Sequence, residues 1–448
     1  MLMQKIKNKT AVVAVLGLGH VGYPMSSLFA KNGFHTIGYD INRTRLEDIS
    51  EGRVISELVS LLPADEVKRQ KVLSEISKNL NLSFEEEVLK NADVFVVDVP
   101  TPLKENETPN LIFLEITCKT ISKFLRKETL VVIESTIYPG ATEEIVKPLL
   151  ETSGLHAGED FYLSFSPERI DPGNKKWNLE LIPKIVGGLN KKSVKVASLL
   201  FSQIVENVVP VSSLKVAEAT KMLENIFRSV NIALINDLSK FFEKLGIDTW
   251  ETIDAASSKP FGFMPHYPGP GVGGHCIPKD PFYLLYKAKK MGISIEFIEE
   301  AAAVNRNMPF YIVHLAEETL KIRNKTLQDS SFAVLGVTYK KDVLDLRRTP
   351  SKTVITELSK ATKNVMVFDP LTSETFGTKG GNLEETITDK DCIILLVNHS
   401  YFIDNQIEDK INKLAPNCCL IDTRNFIDSI KLKKSILYRG LGKPLIER

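Results

Sequence analysis

The apolar residues of this chain fall into two rhythms. Through the first half, short β-branched runs alternate with longer segments of helical spacing: AVVAVLG (11–17), HTIGYD (35–40), DVFVVDV (93–99), LVVIEST (130–136), FYLSFSP (161–167) and KIVGG (184–188). Continuous apolar runs of this length, separated by amphipathic segments, predict a parallel sheet with crossover helices. From Ser213 to about Gly246 the rhythm changes to helical spacing with no proline or interior glycine. That stretch predicts one helix about 45 Å long. Phe227, Val230, Leu234, Leu238 and Phe241 recur along it at intervals of three or four and form an apolar stripe. Beyond residue 330 the first rhythm returns as SFAVLGV (331–337), NVMVFDP (364–370), DCIILLVN (391–398) and CCLIDTRN (418–425). The expected fold is α/β: two doubly wound domains joined by a central helical region with a long helix.

Composition narrows the class. A chain of 448 residues is too long for one ordinary core. With 43% hydrophobic and 25% charged residues it matches soluble globular proteins, which excludes a disordered or fibrous chain. A formal charge of +1 gives no bulk electrostatic reason to expect nucleic acid or a membrane as partner. The apolar run after MLMQKIKNKT breaks at Gly17, and no stretch approaches the roughly 20 apolar residues that span a bilayer. Export is therefore not expected, and a cytoplasmic location is. Five cysteines, with Cys418 and Cys419 adjacent in a strand-like run, read as reduced thiols rather than a disulfide framework.

Gly17-Leu18-Gly19-His20-Val21-Gly22 follows the first strand and opens a helix, and Asp40 ends the next strand. Glycines in that context give a tight turn and bring backbone N–H groups to a pyrophosphate at a helix N-terminus. The acidic residue about 20 positions on binds the adenosine ribose and repels a 2′-phosphate, so NAD is expected over NADP. A glycine-rich turn kept only for packing is the plain alternative; the strand before it and Asp40 after it favour the cofactor. Arg45 is carried as a contact to the adenosine end. Pro100 and Thr101, and Thr136 in Glu134-Ser135-Thr136, also fall at carboxyl ends of strands, where open α/β sheets bind ligands.

The densest glycine–proline cluster is Tyr267-Pro-Gly-Pro-Gly-Val-Gly-Gly-His-Cys-Ile-Pro-Lys-Asp-Pro281. Small residues there let backbone approach a ligand, and Cys276 and Asp280 sit at its end. A thiolate attacks carbonyl carbon readily, and Lys279 or Lys221 is a candidate cation to favour it. A buried structural thiol is the ordinary reading of a single cysteine, and a lone His275-Cys276 pair fails the zinc spacing, so no metal is expected. Neither accounts for the glycines.

These motifs together resemble the UDP-glucose/GDP-mannose dehydrogenases. The resemblance runs in order through the Gly17–Gly22 loop, Val99 to Pro102, Glu134 to Thr136, Ser166-Pro167-Glu168-Arg169, Lys184 to Gly188, Glu218 to Lys221 with Asn225, the loop ending at Cys276 with Lys279 and Asp280, and Gly336 to Lys340 with Asp345 and Arg347. It implies an NAD-binding Rossmann domain (1–212), a central helical domain for dimerisation and the active site (213–326), and a UDP-binding Rossmann-like domain (327–448). It further implies a four-electron oxidation at C6 of a UDP-sugar, with Cys276 as nucleophile and Lys221 and Asn225 stabilising oxyanions. Asp280 would help activate water, Glu168 would lie beside the reacting carbon, and Thr136 would serve the cofactor and the water. Gly17, Gly19, His20, Val21, Gly22, Asp40, Pro100, Thr101 and Lys279 fall to the cofactor by the same comparison. Arg169, Arg228, Tyr267, Gly271, Gly273 and Lys340 fall to the UDP-sugar. Arg347 has no assigned contact.

The strings SPERIDPGN, ENIFRSVNIALINDL and HYPGPGVGGHCIPKDPFYL are most similar to members that oxidise UDP-N-acetylhexosamines for bacterial surface polysaccharides, capsule or O-antigen. UDP-N-acetylglucosamine is the first expectation, UDP-N-acetylmannosamine the second, and UDP-glucose a further alternative. Arg169 is a charged residue where UDP-glucose members carry an aromatic one; its plain alternative role is an ion pair with a carboxylate. Two rival classes are a two-electron hydroxyacid dehydrogenase, which needs no cysteine, and an inert NAD-binding regulator. The resemblance also implies a homodimer or higher oligomer through the long helix.

Overall fold

A computed structural model describes residues 1–58, 61–63, 65–170 and 177–445. Asp171 to Asn174, the end of the SPERIDPGN string, therefore lie outside the described residues. The chain divides into two compact units: residues 1–224 with 282–293, and residues 225–281 with 294–448. The central stretch from 213 to 326 contributes to both.

The first unit is built on an eight-stranded sheet. Its strands are β1 (Val12–Leu16), β2 (His35–Tyr39), β3 (Leu80–Ser83), β4 (Val94–Val97), β5 (Leu130–Ile133), β6 (Tyr162–Phe165), β7 (Lys184–Gly188) and β8 (Val208–Pro210), in the order β3-β2-β1-β4-β5-β6-β7-β8. All residues of β4 and β5 are buried, which is why they read as unbroken apolar runs. The pairing is parallel except between β6 and β7, where Ser164 faces Gly188 and Phe165 faces Gly187 in antiparallel register. The sheet is thus parallel as expected but for this one antiparallel pair. The order reverses direction at β1 and β4, so their carboxyl ends frame the crevice where such sheets bind ligands.

The second unit carries a six-stranded, wholly parallel sheet: β9 (Phe332–Leu335), β10 (Val365–Phe368), β11 (Lys379–Gly380), β12 (Cys392–Leu395), β13 (Cys419–Asp422) and β14 (Leu437–Gly440), ordered β11-β10-β9-β12-β13-β14. Its switch point lies between β9 and β12, the counterpart of β1 and β4. Both faces are packed, one around Ile312, Leu315 and Val354, the other around Ile387, Phe402 and Ile411.

The long helix spans Leu214–Lys244. It stops where Gly246 takes a left-handed φ of +77°, a conformation that only glycine adopts without strain. Along it Phe227, Leu234 and Phe241 are exposed, while Val230 and Leu238 are half-buried.

Candidate active site

At the end of β1 the chain turns on Gly17, whose φ is +93° and whose absent Cβ would lie 2.7 Å from the Asp98 carbonyl oxygen. A Cβ on Gly22 would stand 1.8 Å from the Gly17 carbonyl oxygen, whereas one on Gly19 would meet nothing within 4 Å. The outer glycines therefore close the turn and the middle one faces open space, the cradle a pyrophosphate needs at a helix N-terminus. Val21 is the N-cap of the helix Gly22–Lys31 and has no side-chain cap; the Tyr23 N–H turns back to the Gly19 carbonyl at 3.1 Å, and Pro24 has none to give. Asp40 fixes the loop from below: Oδ2 accepts the Leu18 N–H at 2.7 Å and Oδ1 that of Asn42 at 2.8 Å. These features fit NAD.

Arg45 is committed elsewhere. Its Nε donates to the Leu18 carbonyl at 2.7 Å, and its guanidinium holds both oxygens of Glu57 at 2.9 and 2.5 Å. His20 Nδ1 lies 3.2 Å from the same carboxylate. Burial alone would raise Glu57, but its hydrogen bonds to His20 and Arg45 outweigh that and bring it down to about 2. Sequence reading missed Glu57, because its pairing with Arg45 across 12 residues follows no local pattern.

Beyond β4 and β5 the turns are tied together. Thr101 Oγ1 donates to the Thr136 carbonyl at 2.7 Å, and the buried Tyr283 donates its hydroxyl to the Thr101 carbonyl at 2.6 Å. Pro100 is exposed beside them and Thr136 is half-buried. Glu218, a motif residue without a role in the sequence reading, gains one here. Its carboxylate accepts the N–H groups of Gly140 (2.6 Å) and Thr142 (2.9 Å) and the Thr142 hydroxyl (2.6 Å), fastening the long helix to the segment after Thr136.

Glu168 lies in a buried cluster of charge. Lys184 Nζ bridges Glu168 Oε2 at 2.7 Å and Glu134 Oε1 at 2.8 Å, and Asp98 adds a third acid. Burial pushes Asp98 well above the carboxylate range, and the charge of Glu134 adds to it. Burial likewise lifts Glu134 to about 7 against the pull of Lys184. Glu168 goes the other way: burial raises it, but the charge and hydrogen bond of Lys184 and the Arg169 amide hold it below its ordinary value. Lys221 Nζ donates to the Glu168 carbonyl oxygen at 2.5 Å. Arg169 pairs with Glu224 at 2.5 Å and donates to the Pro183 carbonyl at 2.9 Å.

In the second unit the glycine loop is anchored at both ends. Tyr267 stacks on Trp250, with centroids 5.1 Å apart, and donates its hydroxyl to Asp254 at 2.8 Å. The Gly269 N–H reaches the Asn236 side chain at 2.9 Å, and the Gly274 N–H reaches the Arg347 carbonyl at 2.9 Å. Gly271 has a φ of +123°, and a Cβ on Gly273 would sit 2.4 Å from Tyr339 Cβ. The close approach that demands Gly273 is thus to the chain's own side chain.

Cys276 follows, half-buried. Its carbonyl accepts the N–H groups of Lys279 (3.0 Å) and Asp280 (2.8 Å), placing it at the turn that opens the helix Asp280–Lys290. A helix N-terminus favours a thiolate. Asp280 is fully buried, and its Oδ2 accepts from Asn225 Nδ2 at 2.6 Å; Lys279 is buried beside it, 3.9 Å from Oδ1. Arg347 receives its first structural role: its guanidinium holds Asp345 at 2.5 to 3.0 Å. That hydrogen bond chiefly raises the Arg347 pKa, and Cys276 adds to it electrostatically. Arg347 thus joins Lys279 and Lys221 as a candidate cation to favour a Cys276 thiolate.

Lys340 sits half-buried in the loop after β9, its carbonyl accepting from the Thr338 hydroxyl at 3.2 Å, and Arg228 is exposed. Asp369 repeats the arrangement of Asp40, accepting the N–H groups of Val337 (2.6 Å) and Thr338 (3.2 Å). The buried His399 lies 3.2 Å from Asp369 Oδ2 and accepts the Asp342 N–H at 3.0 Å.

Comparison with known proteins decides the family. Residues 11–205 match the NAD binding domain of the UDP-glucose/GDP-mannose dehydrogenase family, residues 215–307 its central domain, and residues 333–429 its UDP binding domain. The chain belongs to that family. As a UDP-glucose/GDP-mannose dehydrogenase family member it is an NAD-dependent nucleotide-sugar oxidoreductase. It is 37% identical to the UDP-N-acetyl-D-glucosamine 6-dehydrogenase of Pseudomonas aeruginosa over 94% of this chain and 99% of that protein. It is also 37% identical to protein CapL of Staphylococcus aureus, over 94% and 98%. A solved structure of the UDP-D-ManNAc dehydrogenase of Pyrococcus horikoshii, 32% identical, superposes with a TM-score of 0.86 over 96% of this chain and 99% of that one. Among the described residues no helix of this family member is long and apolar enough to cross a membrane.

Proposed function

We propose that the protein oxidises the C6 hydroxymethyl of a UDP-N-acetylhexosamine to the carboxylate, with UDP-N-acetylglucosamine as first substrate, through a thioester on Cys276. The observation that carries this reading is the placement of Cys276 at the opening of a helix, with the Asp280–Asn225 pair one turn on and the Arg347 charge as its electrostatic neighbour. A two-electron dehydrogenase or an NAD-binding regulator has no use for that arrangement. The greater identity to the relative named for the glucosamine substrate supports the order of choice, while Arg169, paired with Glu224, does not bear on it.

NAD held at the Gly17–Gly22 turn would supply the hydride acceptor for each of two successive oxidations, a second NAD replacing the NADH formed in the first. Cys276 adds to the aldehyde left by the first, giving a thiohemiacetal whose second oxidation yields a thioester, and water then releases the acid and the free thiol. Lys221 and Asn225 stabilise the negative oxygen that forms at each stage; losing one such donor typically costs roughly 3–4 kcal/mol. Asp280 helps activate water. Thr136 serves the cofactor and that water, Lys279 the cofactor side, and Arg228, Tyr267, Gly271, Gly273 and Lys340 the UDP-sugar. The reading also places the enzyme in the cytoplasm, as a homodimer, in bacterial surface polysaccharide synthesis, with domain boundaries near residues 212 and 326.

The test is NADH release against UDP-N-acetylglucosamine, UDP-N-acetylmannosamine, UDP-N-acetylgalactosamine and UDP-glucose. Two NADH per UDP-N-acetylglucosamine, at the highest kcat/KM of the panel, is the expected result. One NADH per sugar would overturn the four-electron chemistry, and preference for the mannosamine epimer or for glucose would reassign the substrate.

A further inference from the structure

We infer that Lys184 is a positioning residue for Lys221, acting through the turn at Glu168. Lys184 opens β7, is almost fully buried, and lies with its ammonium 5.2 Å from the centroid of the Phe201 ring. It spans the ends of two strands, reaching Glu134 after β5 and Glu168 after β6. Glu168 has no carboxylate oxygen left uncommitted: Oε2 is held by Lys184, and Oε1 accepts the N–H groups of Arg169 at 2.6 Å and Ile170 at 2.8 Å. The carboxylate thus folds back on its own turn. What Glu168 offers to Lys221 is its main-chain carbonyl, at 2.5 Å. The same turn is clamped to the long helix a second time, by Arg169 on Glu224, three residues beyond Lys221.

The physical chain runs in one direction. A buried carboxylate stays ionised only with a cation beside it, and an ionised carboxylate is the stronger acceptor for two backbone amides. Lys184 supplies that cation. Without it Glu168 takes up a proton, its hold on the Arg169 and Ile170 amides weakens, and the carbonyl that anchors Lys221 moves. Of the charged groups facing Lys184, Glu134 and Glu168 compete for its protons and Asp98 lies next to Glu134; the charge of Lys221 also favours an ionised Glu168, but it comes after that of Lys184, and its ammonium is held on the Glu168 main-chain carbonyl while Lys184 alone of the two bonds the carboxylate.

The inference rests on the proposed oxyanion role of Lys221, and the experiment separates the two. Lys184→Met, Lys221→Met and the double variant are assayed for kcat and KM with UDP-N-acetylglucosamine, and NAD affinity is measured by calorimetry. Lys184→Met should lower kcat by about 10²-fold, on the scale of a lost oxyanion donor, with KM and NAD affinity within about threefold of wild type. The double variant should be no slower than Lys221→Met alone, and Lys184→Arg should restore most of the rate. A double variant that falls by the product of the two single factors, or a Lys184→Met enzyme at wild-type rate, overturns the inference while leaving Lys221 in place. A Lys221→Met enzyme at wild-type rate removes the oxyanion role itself. Should Lys184→Met fail to fold, the same cycle is run on Lys184→Met/Glu134→Gln, in which one stranded carboxylate has been made neutral.

Discussion

Single residues in this protein are legible by what else their atoms are doing. Cys276 has the turn of a helix for its carbonyl and a neighbouring Arg347 for its charge, so Cys276→Ser should lose acid formation by orders of magnitude while NAD and UDP-sugar binding, followed by calorimetry, persist. Asp40 holds two loop amides and still has lone pairs for a ribose, so Asp40→Ala should weaken NAD and narrow its advantage over NADP in a cofactor titration. The buried acids make a pH prediction with a definite sign. Glu134 is raised from 4.5 to about 7 in the folded protein, so between those values the folded state keeps a proton that the unfolded state has lost. Its contribution to stability is complete below the lower value and fades as pH rises through the upper one. Glu57, lowered to about 2, does the reverse: its contribution is present above 4.5 and is lost on acidification. Urea midpoints measured across this range should fall less steeply toward neutrality in Glu134→Gln; an unchanged slope would take the proton off Glu134.

At the scale of elements, the interior was written in the sequence and the margins were not. Every anticipated apolar run contains a strand, and the run KIVGG coincides with β7 to the residue. The strands outside the anticipated runs are β3, β8, β11 and β14, which are the four edges of the two sheets. An edge strand is covered on one side only, so LNLS and KG need no apolar pattern, and β8 tolerates Pro210 because its outer N–H has no partner to lose. The candidate site divides the same way. Cys276, Asp40 and the glycines were legible because their chemistry demands a residue type at a place; Glu57, Lys184 and Asp98 were not read as site residues, because ion pairs formed by folding join positions far apart in sequence. The glycine loop was legible in composition but partly for a different reason, since Tyr339 crowds Gly273. Gly273→Ala should lower stability by about 1–3 kcal/mol through overpacking, read as a drop in the urea midpoint. The long helix keeps Phe227, Leu234 and Phe241 exposed, apolar surface that a second copy would bury twice. Light scattering over a dilution series should return at least a dimer, and an active species at the 50.1 kDa chain mass at every concentration would count against it.

The whole molecule repeats one plan, a mostly or wholly parallel sheet with a strand-end carboxylate holding the loop after the first strand, Asp40 in one unit and Asp369 in the other. The two copies nonetheless do not follow one another as beads on a string. The first compact unit takes residues 1–224 and then, after an excursion of the chain, residues 282–293. That returning segment carries Tyr283, fully buried, with its hydroxyl on the Thr101 carbonyl at the strand-end turn expected to meet the cofactor. On the ribosome, where chains grow at roughly 5–20 residues per second and early domains fold first, the eight-stranded sheet is complete well before its last piece has been made. The nascent amino-terminal unit must wait for residues 282–293 to emerge before the Thr101 turn is locked, so its maturation is timed by synthesis of the segment that directly follows the loop bearing Cys276.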